Sequence, residues 1–304
     1  MNGLLNTIIE NCRPFTKQGK VADYIPELSK ANGDDLGICV MQDLNTVSCA
    51  GDYTKTFTMQ SVVKPMILLT ALLDRGMDQV RALVGVEATG KPFDAFNYSD
   101  QALTGAHINP MVNAGAIALC TLIEGKTYQD KLERLLQMTR TVAGNPDLSV
   151  DEAVYLSEKQ TGSKNRALAY MLKAYGMIDA DVEELVDCYF RACSIKVSSV
   201  DLARIAWVLA NKGKAPTGEQ LFHPDYARQV NAILTTCGMY DGSGEFALSV
   251  GVPAKSGVGG GIMAVVPGRM GIGIYGPALD SKGNSFAGTK VLEQLSSRLD
   301  LSIF

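Results

Sequence analysis

The sequence predicts an α+β protein of two lobes, in which one antiparallel sheet flanked by helices is assembled from both ends of the chain. Two observations carry this reading. Runs with strand character sit near the N-terminus (36–52) and again near the C-terminus (245–277), and the stretch between them, from Ser61 to about Gly238, is patterned as helix almost without relief. A third is length: 304 residues suit one large domain, since single cores stop growing near ~250–300 residues. The α/β lobe is expected from about 1–60 and 239–304, and the helical lobe from about 61–238. A groove between lobes is where a small-molecule site is expected.

Residues 2–11 read as a short amphipathic helix. The runs LGICVMQ (36–42) and TVSCAGD (46–52), separated by DLN, read as a hairpin. Helical periodicity then marks 111–124, 131–140, 166–176, 182–193 and 200–213. Strand character returns in EFALSVGVPAKSG (245–257), GIMAVVPG (261–268) and MGIGIYGP (270–277), and a last helix is expected over 287–299.

Composition narrows the function. The chain is 46% apolar and 20% charged with a net charge of −4, which gives no electrostatic reason to expect nucleic acid or an anionic membrane as partner. The opening MNGLLNTIIENCRPF lacks a basic leader before an apolar core, and PMILLTALL is far shorter than the ~20 residues that span a bilayer. A cytoplasmic protein is expected. Seven cysteines, never spaced C-x-x-C, read as small buried hydrophobes in a reducing compartment and not as a disulfide framework or zinc site. With only His107 and His223, neither a histidine metal site nor a Ser-His-Asp triad is expected.

The chemistry concentrates in TMQSVVKPMILLTALLD (58–74). Ser61 and Lys64 stand three apart on one face of a helix start, and Pro65 is tolerated there because first-turn amides have no intrahelical partner. A helix N-terminus favours developing negative charge, and a Lys desolvated among apolar side chains can act as a base. The pair fits an activated nucleophile for acyl transfer. Spacing alone is weak, since 18 Ser and 17 Lys in this length give roughly one S-x-x-K by chance; the plainer account is a capping Ser and a surface Lys. PAKSGVGGG (253–261) adds a second mark. Lys-Ser-Gly on an edge strand can hold a substrate carboxylate while its amides face the reacting carbonyl, and S-x-x-K with a late Lys-[Ser/Thr]-Gly is the signature of penicillin-recognising serine enzymes. Two glycine motifs fail. Ala254 stands where a phosphate loop needs Gly before the Lys, and Gly271, Gly273 and Gly276 are followed by Pro277 and no helix, so close packing explains them better than a dinucleotide.

With QSVVKP (60–65), HINPMVNAGAI (107–117), SEKQTGSKNRALAY (157–170), DCYFRACSI (187–195), CGMYDGSGEFA (237–247) and PAKSGVGGGI (253–262) in order, the chain resembles the serine-dependent glutaminases, which share the β-lactamase/transpeptidase-like fold. The resemblance implies that Ser61 is the nucleophile and Lys64 its base, with Tyr189 and Tyr240 relaying protons near it. It further implies that Tyr24, Asn113, Glu158 and Asn165 join Ser61, Tyr189 and Tyr240 in binding L-glutamine, with Val258 offering a backbone amide. No cofactor and no metal is implied, and homo-oligomers (dimers or tetramers) are usual. A free amino acid needs one anion, several donors and an oxyanion hole, which Glu158, the Asn and Tyr groups, and the amides of Ser61 and Val258 supply. A β-lactam or peptide hydrolase and a non-catalytic amino-acid-binding protein are the competing readings. Glu158 speaks against the first, and retention of both Ser61 and Lys64 against the second.

Overall fold

The sheet is built on a period-2 alternation that its strands carry in register. In the computed structural model, which describes residues 1–43, 46–90 and 108–304, β6 (Ala254–Ser256), β7 (Gly261–Val266) and β8 (Met270–Tyr275) join the hairpin of β2 (Gly37–Asp43) and β3 (Thr46–Gly51). All pairs are antiparallel, in the order β3-β2-β8-β7-β6. Two short ribbons accompany it: β1 (Lys20–Val21) pairs with β9 (Ala278–Leu279), and β4 (Phe57–Thr58) with β5 (Lys196–Val197).

Because side chains alternate along a strand, Ile38, Val40, Ile262, Ala264, Ile272 and Ile274 share one face. They pack there against Leu5, Ile8 and Ile9 of α1 (Asn2–Cys12) and Val291, Leu292 and Leu295 of the C-terminal helix at Phe286–Leu299. The opposite face presents Met41, Met263 and Val265 to Leu202, Ala203, Ile205 and Ala206 of the helix at Ser199–Ala210. On β8 the residues of that second face are Gly271 and Gly273. A Cβ on Gly271 would lie 2.1 Å from the Trp207 amide nitrogen, and one on Gly273 2.0 Å from the Ser199 carbonyl oxygen. These glycines therefore let a helix backbone rest on the sheet, the packing role expected of them.

Between the hairpin and the late strands the described chain is helical: α2 (Lys64–Leu83), α3 (Asn113–Cys120), α4 (Tyr128–Ala143), α5 (Glu152–Thr161), α6 (Ser163–Ala174), α7 (Val182–Cys193), α8 (Ser199–Ala210) and α9 (Pro224–Cys237). Local chemistry sets their ends. Thr127 and Asp130 form a reciprocal capping box on α4, which stops at Gly144 in the left-handed conformation; Ser198 and Asp201 do the same for the start of α8. His223 caps α9, its Nδ1 accepting from the Asp225 amide at 3.3 Å, whereas His107 lies outside the described residues.

Two expectations need correction. EFALS does not begin a strand: Ser243–Ser249 is a helix, α10, followed by β6 only at Ala254, and α11 (Phe286–Leu299) closes the chain. Of the apolar residues of α10, Phe246 is buried while Leu248 is exposed, a half-buried pattern that period-2 reading mistakes for a strand. Nor are all seven cysteines free. The hairpin register sets Cys39 opposite Cys49, with Cα atoms 4.2 Å apart, and a disulfide joins them; the other five are free and buried. Cysteines that meet across a hairpin have no C-x-x-C spacing to betray them. Among the described residues no helix is long and apolar enough to cross a membrane, and no cluster of His, Cys, Asp and Glu could hold a metal ion.

Candidate active site

Ser61 sits in a single 3-10 turn, Gln60–Val63, that feeds directly into α2. The α-helix proper begins at Lys64, with Pro65 in its first turn, so the Ser lies just ahead of the helix and not inside it. Gln60 adopts φ +48°, and Tyr240 φ +56°. Left-handed backbone at a non-glycine residue persists only where the surroundings over-determine it, and the surroundings here are tight. The Met59 amide donates to the Ile195 carbonyl at 2.9 Å. On the other side, a Cβ at Gly257 would come within 2.5 Å of the Met59 carbonyl oxygen, and one at Gly259 within 2.5 Å of that of Thr58. The two glycines flank Val258 and press its peptide against the segment that ends in Ser61.

Ser61 opens onto a cavity of about 640 Å³ that Gln60, Asn113, Glu158, Asn165, Tyr189, Val258 and Tyr24 also line. Beneath it Lys64 is completely buried. Its Nζ donates to Asn113 Oδ1 at 2.7 Å and to the Met111 carbonyl at 3.2 Å. Asn113, at the start of α3, is a junction: its Nδ2 donates to Asn165 Oδ1 at 2.8 Å, and the Tyr189 hydroxyl donates to its Oδ1 at 3.3 Å. Glu158 on α5 is 5% exposed and accepts from Gln60 Nε2 at 3.4 Å.

A wall formed by residues 20–30 closes one side. It is anchored apolarly, with Ala22, Ile25 and Leu28 packing on Val154, Leu279 and the Val258 side chain, and by a hydrogen bond from the Glu27 amide to Ser157 Oγ at 3.2 Å, one residue before Glu158. Tyr24 stands on this wall, half-exposed at the mouth.

The electrostatics follow from burial. Desolvation raises the Glu158 carboxyl to about 8, opposed by the Gln60 hydrogen bond and the charge of Lys64. Tyr189 is pushed up chiefly by burial, then by Cys193 and Glu158. Burial also raises Tyr240, against the opposing effect of its hydrogen bond with Ser61. Both phenols thus remain protonated donors at neutral pH.

All nine residues singled out from the sequence lie in this neighbourhood, seven of them on the cavity, with Lys64 buried beneath it. Tyr240 instead reaches Ser61 from beneath, bordering a separate small cavity with Asn109 and Met111. One expectation fails. Lys255 lies on the edge strand β6 but does not face the cavity: it is fully buried, Nζ donating to the carbonyls of Gly238 (3.0 Å) and Ser256 (2.7 Å) and lying 4.3 Å from the centre of the Tyr240 ring. Burial, with Lys64 nearby, holds its ammonium well below the usual range. It supports Tyr240 and offers nothing to a carboxylate in the cavity. Gln60 is the residue that sequence reasoning passes over, although its position beside Ser61 and before a helix start was a signal.

Comparison with known proteins identifies the family of the chain. The Glutaminase family profile matches residues 19–304. The chain is 50% identical over 305 residues to the glutaminase of Clostridium tetani and 51% identical over 302 residues to that of Clostridioides difficile, covering 98–100% of each sequence. Among solved structures, a Bacillus subtilis glutaminase in covalent complex with 5-oxo-L-norleucine superposes with a TM-score of 0.91 at 39% identity, over 100% of this chain and 99% of that one. The architecture is the β-lactamase-like fold of these bacterial enzymes. With the family profile spanning nearly the whole chain and curated relatives at half identity over its full length, this protein is a member of the glutaminase family, an amidohydrolase.

Proposed function

We propose that the protein hydrolyses L-glutamine to L-glutamate and ammonia through an acyl-enzyme on Ser61, with Lys64 as the activating base. The observation that carries this reading is the pairing of a Ser hydroxyl at the cavity floor with a wholly buried Lys one turn below it. A Lys so placed has no use in a surface salt bridge, and binding alone does not require it. In the first step Ser61 Oγ attacks the side-chain amide carbon as its proton passes to Lys64. The amides of Ser61 and Val258 receive the charge that develops on the carbonyl oxygen, and the nitrogen leaves as ammonia after protonation, with the Tyr240 hydroxyl beside Ser61 as donor. Water then hydrolyses the γ-glutamyl ester by the reverse proton path. Glu158 receives the substrate ammonium. Asn165, Tyr189 and Tyr24 act on the rest of the amino acid, and Asn113 serves both substrate and Lys64.

The covalent adduct of the Bacillus subtilis relative, formed by reaction with 6-diazo-5-oxo-L-norleucine, supports a covalent route here. The test is ammonia release from L-glutamine by purified protein. Ser61→Ala is expected to lower kcat by about 10³-fold or more, with L-asparagine turned over poorly by the wild type. Turnover that survives Ser61→Ala would place the nucleophile elsewhere.

A further inference from the structure

Two oxygens help to hold Lys64, and one of them belongs to a backbone turn with its own support. As an ammonium, Lys64 carries three hydrogens. Two are committed to acceptors, Asn113 Oδ1 and the Met111 carbonyl. Because Nζ is tetrahedral, the directions of these two bonds constrain the position through which the reaction's proton moves. The placement of the Met111 carbonyl therefore sets the aim of the base.

The turn presenting that carbonyl is Asn109–Val112. Asn109 is 1% exposed and both ends of its amide are used. Oδ1 accepts from the Met111 amide at 2.9 Å, an Asx turn that folds the chain back over Pro110. Nδ2 donates to the Glu87 carbonyl at 2.9 Å, tying the turn to the chain beyond α2, where the Gly85 amide also donates to the Ile108 carbonyl at 3.0 Å. From the opposite side Gly115 lies so close that a Cβ there would sit 2.1 Å from the Asn109 carbonyl oxygen. The turn is clamped between α3 and the end of α2, the helix that carries Lys64. Asn109 itself borders neither Ser61 nor the cavity that Ser61 opens onto.

The geometry points to Asn109 as a positioning residue for catalysis: through the Met111 carbonyl it orients Lys64 towards Ser61. The inference rests on the Ser61–Lys64 reading above. Loss of its side chain removes the acceptor of the Met111 amide and lets the turn, and with it the Met111 carbonyl, shift; misalignment of a base by an ångström costs rate and not substrate affinity. Asn113, two residues on, keeps its bonds with Asn165 and Tyr189, and Glu158 is untouched.

The experiment compares kcat and KM for L-glutamine in Asn109→Ala, Asn109→Asp and Lys64→Ala, with thermal unfolding of each. Asn109→Ala is expected to lower kcat by about 10- to 100-fold with KM within about threefold. Asn109→Asp keeps the acceptor for the Met111 amide but sets a carboxylate against the Glu87 carbonyl, for an expected kcat loss of about fivefold at unchanged KM. It also gives the answer should the Ala variant not fold. Wild-type kcat in either folded variant, or a loss carried by KM alone, overturns the positioning role. Wild-type turnover by Lys64→Ala overturns the Ser–Lys reading itself, a separate result from an inactive Lys64→Ala beside fully active Asn109 variants.

Discussion

Gly271 and Gly273 on β8, and Gly257 and Gly259 just beyond β6, all mark places where two backbones touch, yet the contacts differ in what lies behind them. At β8 the neighbour is α8, and both sides are apolar core: Leu202, Ala203 and Ala206 against Met263 and Val265. At 257–259 the neighbour is the short strand leading to Ser61, and what lies behind is polar and strained: Gln60 and Tyr240 with positive φ, and buried Lys64, Lys255 and Glu158. Close approach serves density in the first case and placement of a reactive group in the second. Buried polar groups are costly unless paired, so the second region is held by its hydrogen bonds where the first is held by area.

The largest effect expected from this contrast is on the β8 side. Gly273→Val would drive a branched side chain into the Ser199 carbonyl, which belongs to the first turn of a capped helix and cannot yield without lifting α8 from the sheet. A stability loss of about 3 kcal/mol is expected, seen as a Tm fall of roughly 5–10 °C or as insoluble protein, while kcat of whatever remains folded stays near wild type. Gly257→Ala should behave the other way. Its Cβ meets the Met59 carbonyl at 2.5 Å, but the Gly257–Gly260 loop beyond β6 can shift, carrying the Val258 amide away from Ser61. The expected result is a kcat loss of about 100-fold with a smaller Tm change than Gly273→Val. Equal loss of stability in both, with kcat of the folded fraction intact, would erase the distinction.

The same contrast explains what could be read from the sequence. The hairpin, β7, β8 and the helices at 182–193 and 200–213 obey one period each, and their glycines sit in phase with the alternation, so pattern alone located them. Ser61 and Lys64 could be paired because one helical turn relates them, but that spacing is no rarer than chance and the family pattern had to raise it. The joining of Asn113, Asn165 and Tyr189 from three helices was not legible: no spacing in the chain encodes contacts spanning 52 and 76 positions, and only a family pattern singled those residues out. Lys255 shows where pattern misleads, since a residue on an edge strand was assigned to the cavity although its side chain turns under Tyr240. Gln60 and Asn109 escaped because their work is done by backbone conformation and by hydrogen bonds to carbonyls, which leave no mark of residue type beyond an ordinary amide.

The smallest expected effect, taken per pH unit, concerns Glu158, a buried acidic group of the polar region. Burial penalises the charge of Glu158 more than Gln60 and Lys64 favour it and pushes its carboxyl up to about 8. An arriving ammonium reverses that balance, so the bound state has the carboxylate ionised. Below pH 8 the free protein is mostly protonated at Glu158, and binding must expel that proton. Each pH unit below 8 then opposes binding by about 1.4 kcal/mol, and KM for glutamine should rise up to about tenfold per unit from pH 8 to pH 6, flattening above 8. In the inactive Ser61→Ala protein, calorimetric titration with glutamine at pH 7, run in two buffers of different ionisation enthalpy, should report close to one proton released per molecule bound. The folding linkage has the matching sign. A carboxyl raised above its unfolded value favours the fold most below the unfolded pKa of ~4.3, and that contribution is lost as pH climbs through 8. Glutamine should therefore stabilise the protein more at pH 8 than at pH 6. A KM independent of pH over this range, with no proton released, would mean that Glu158 is already ionised in the free protein, with Gln60 and Lys64 outweighing its burial.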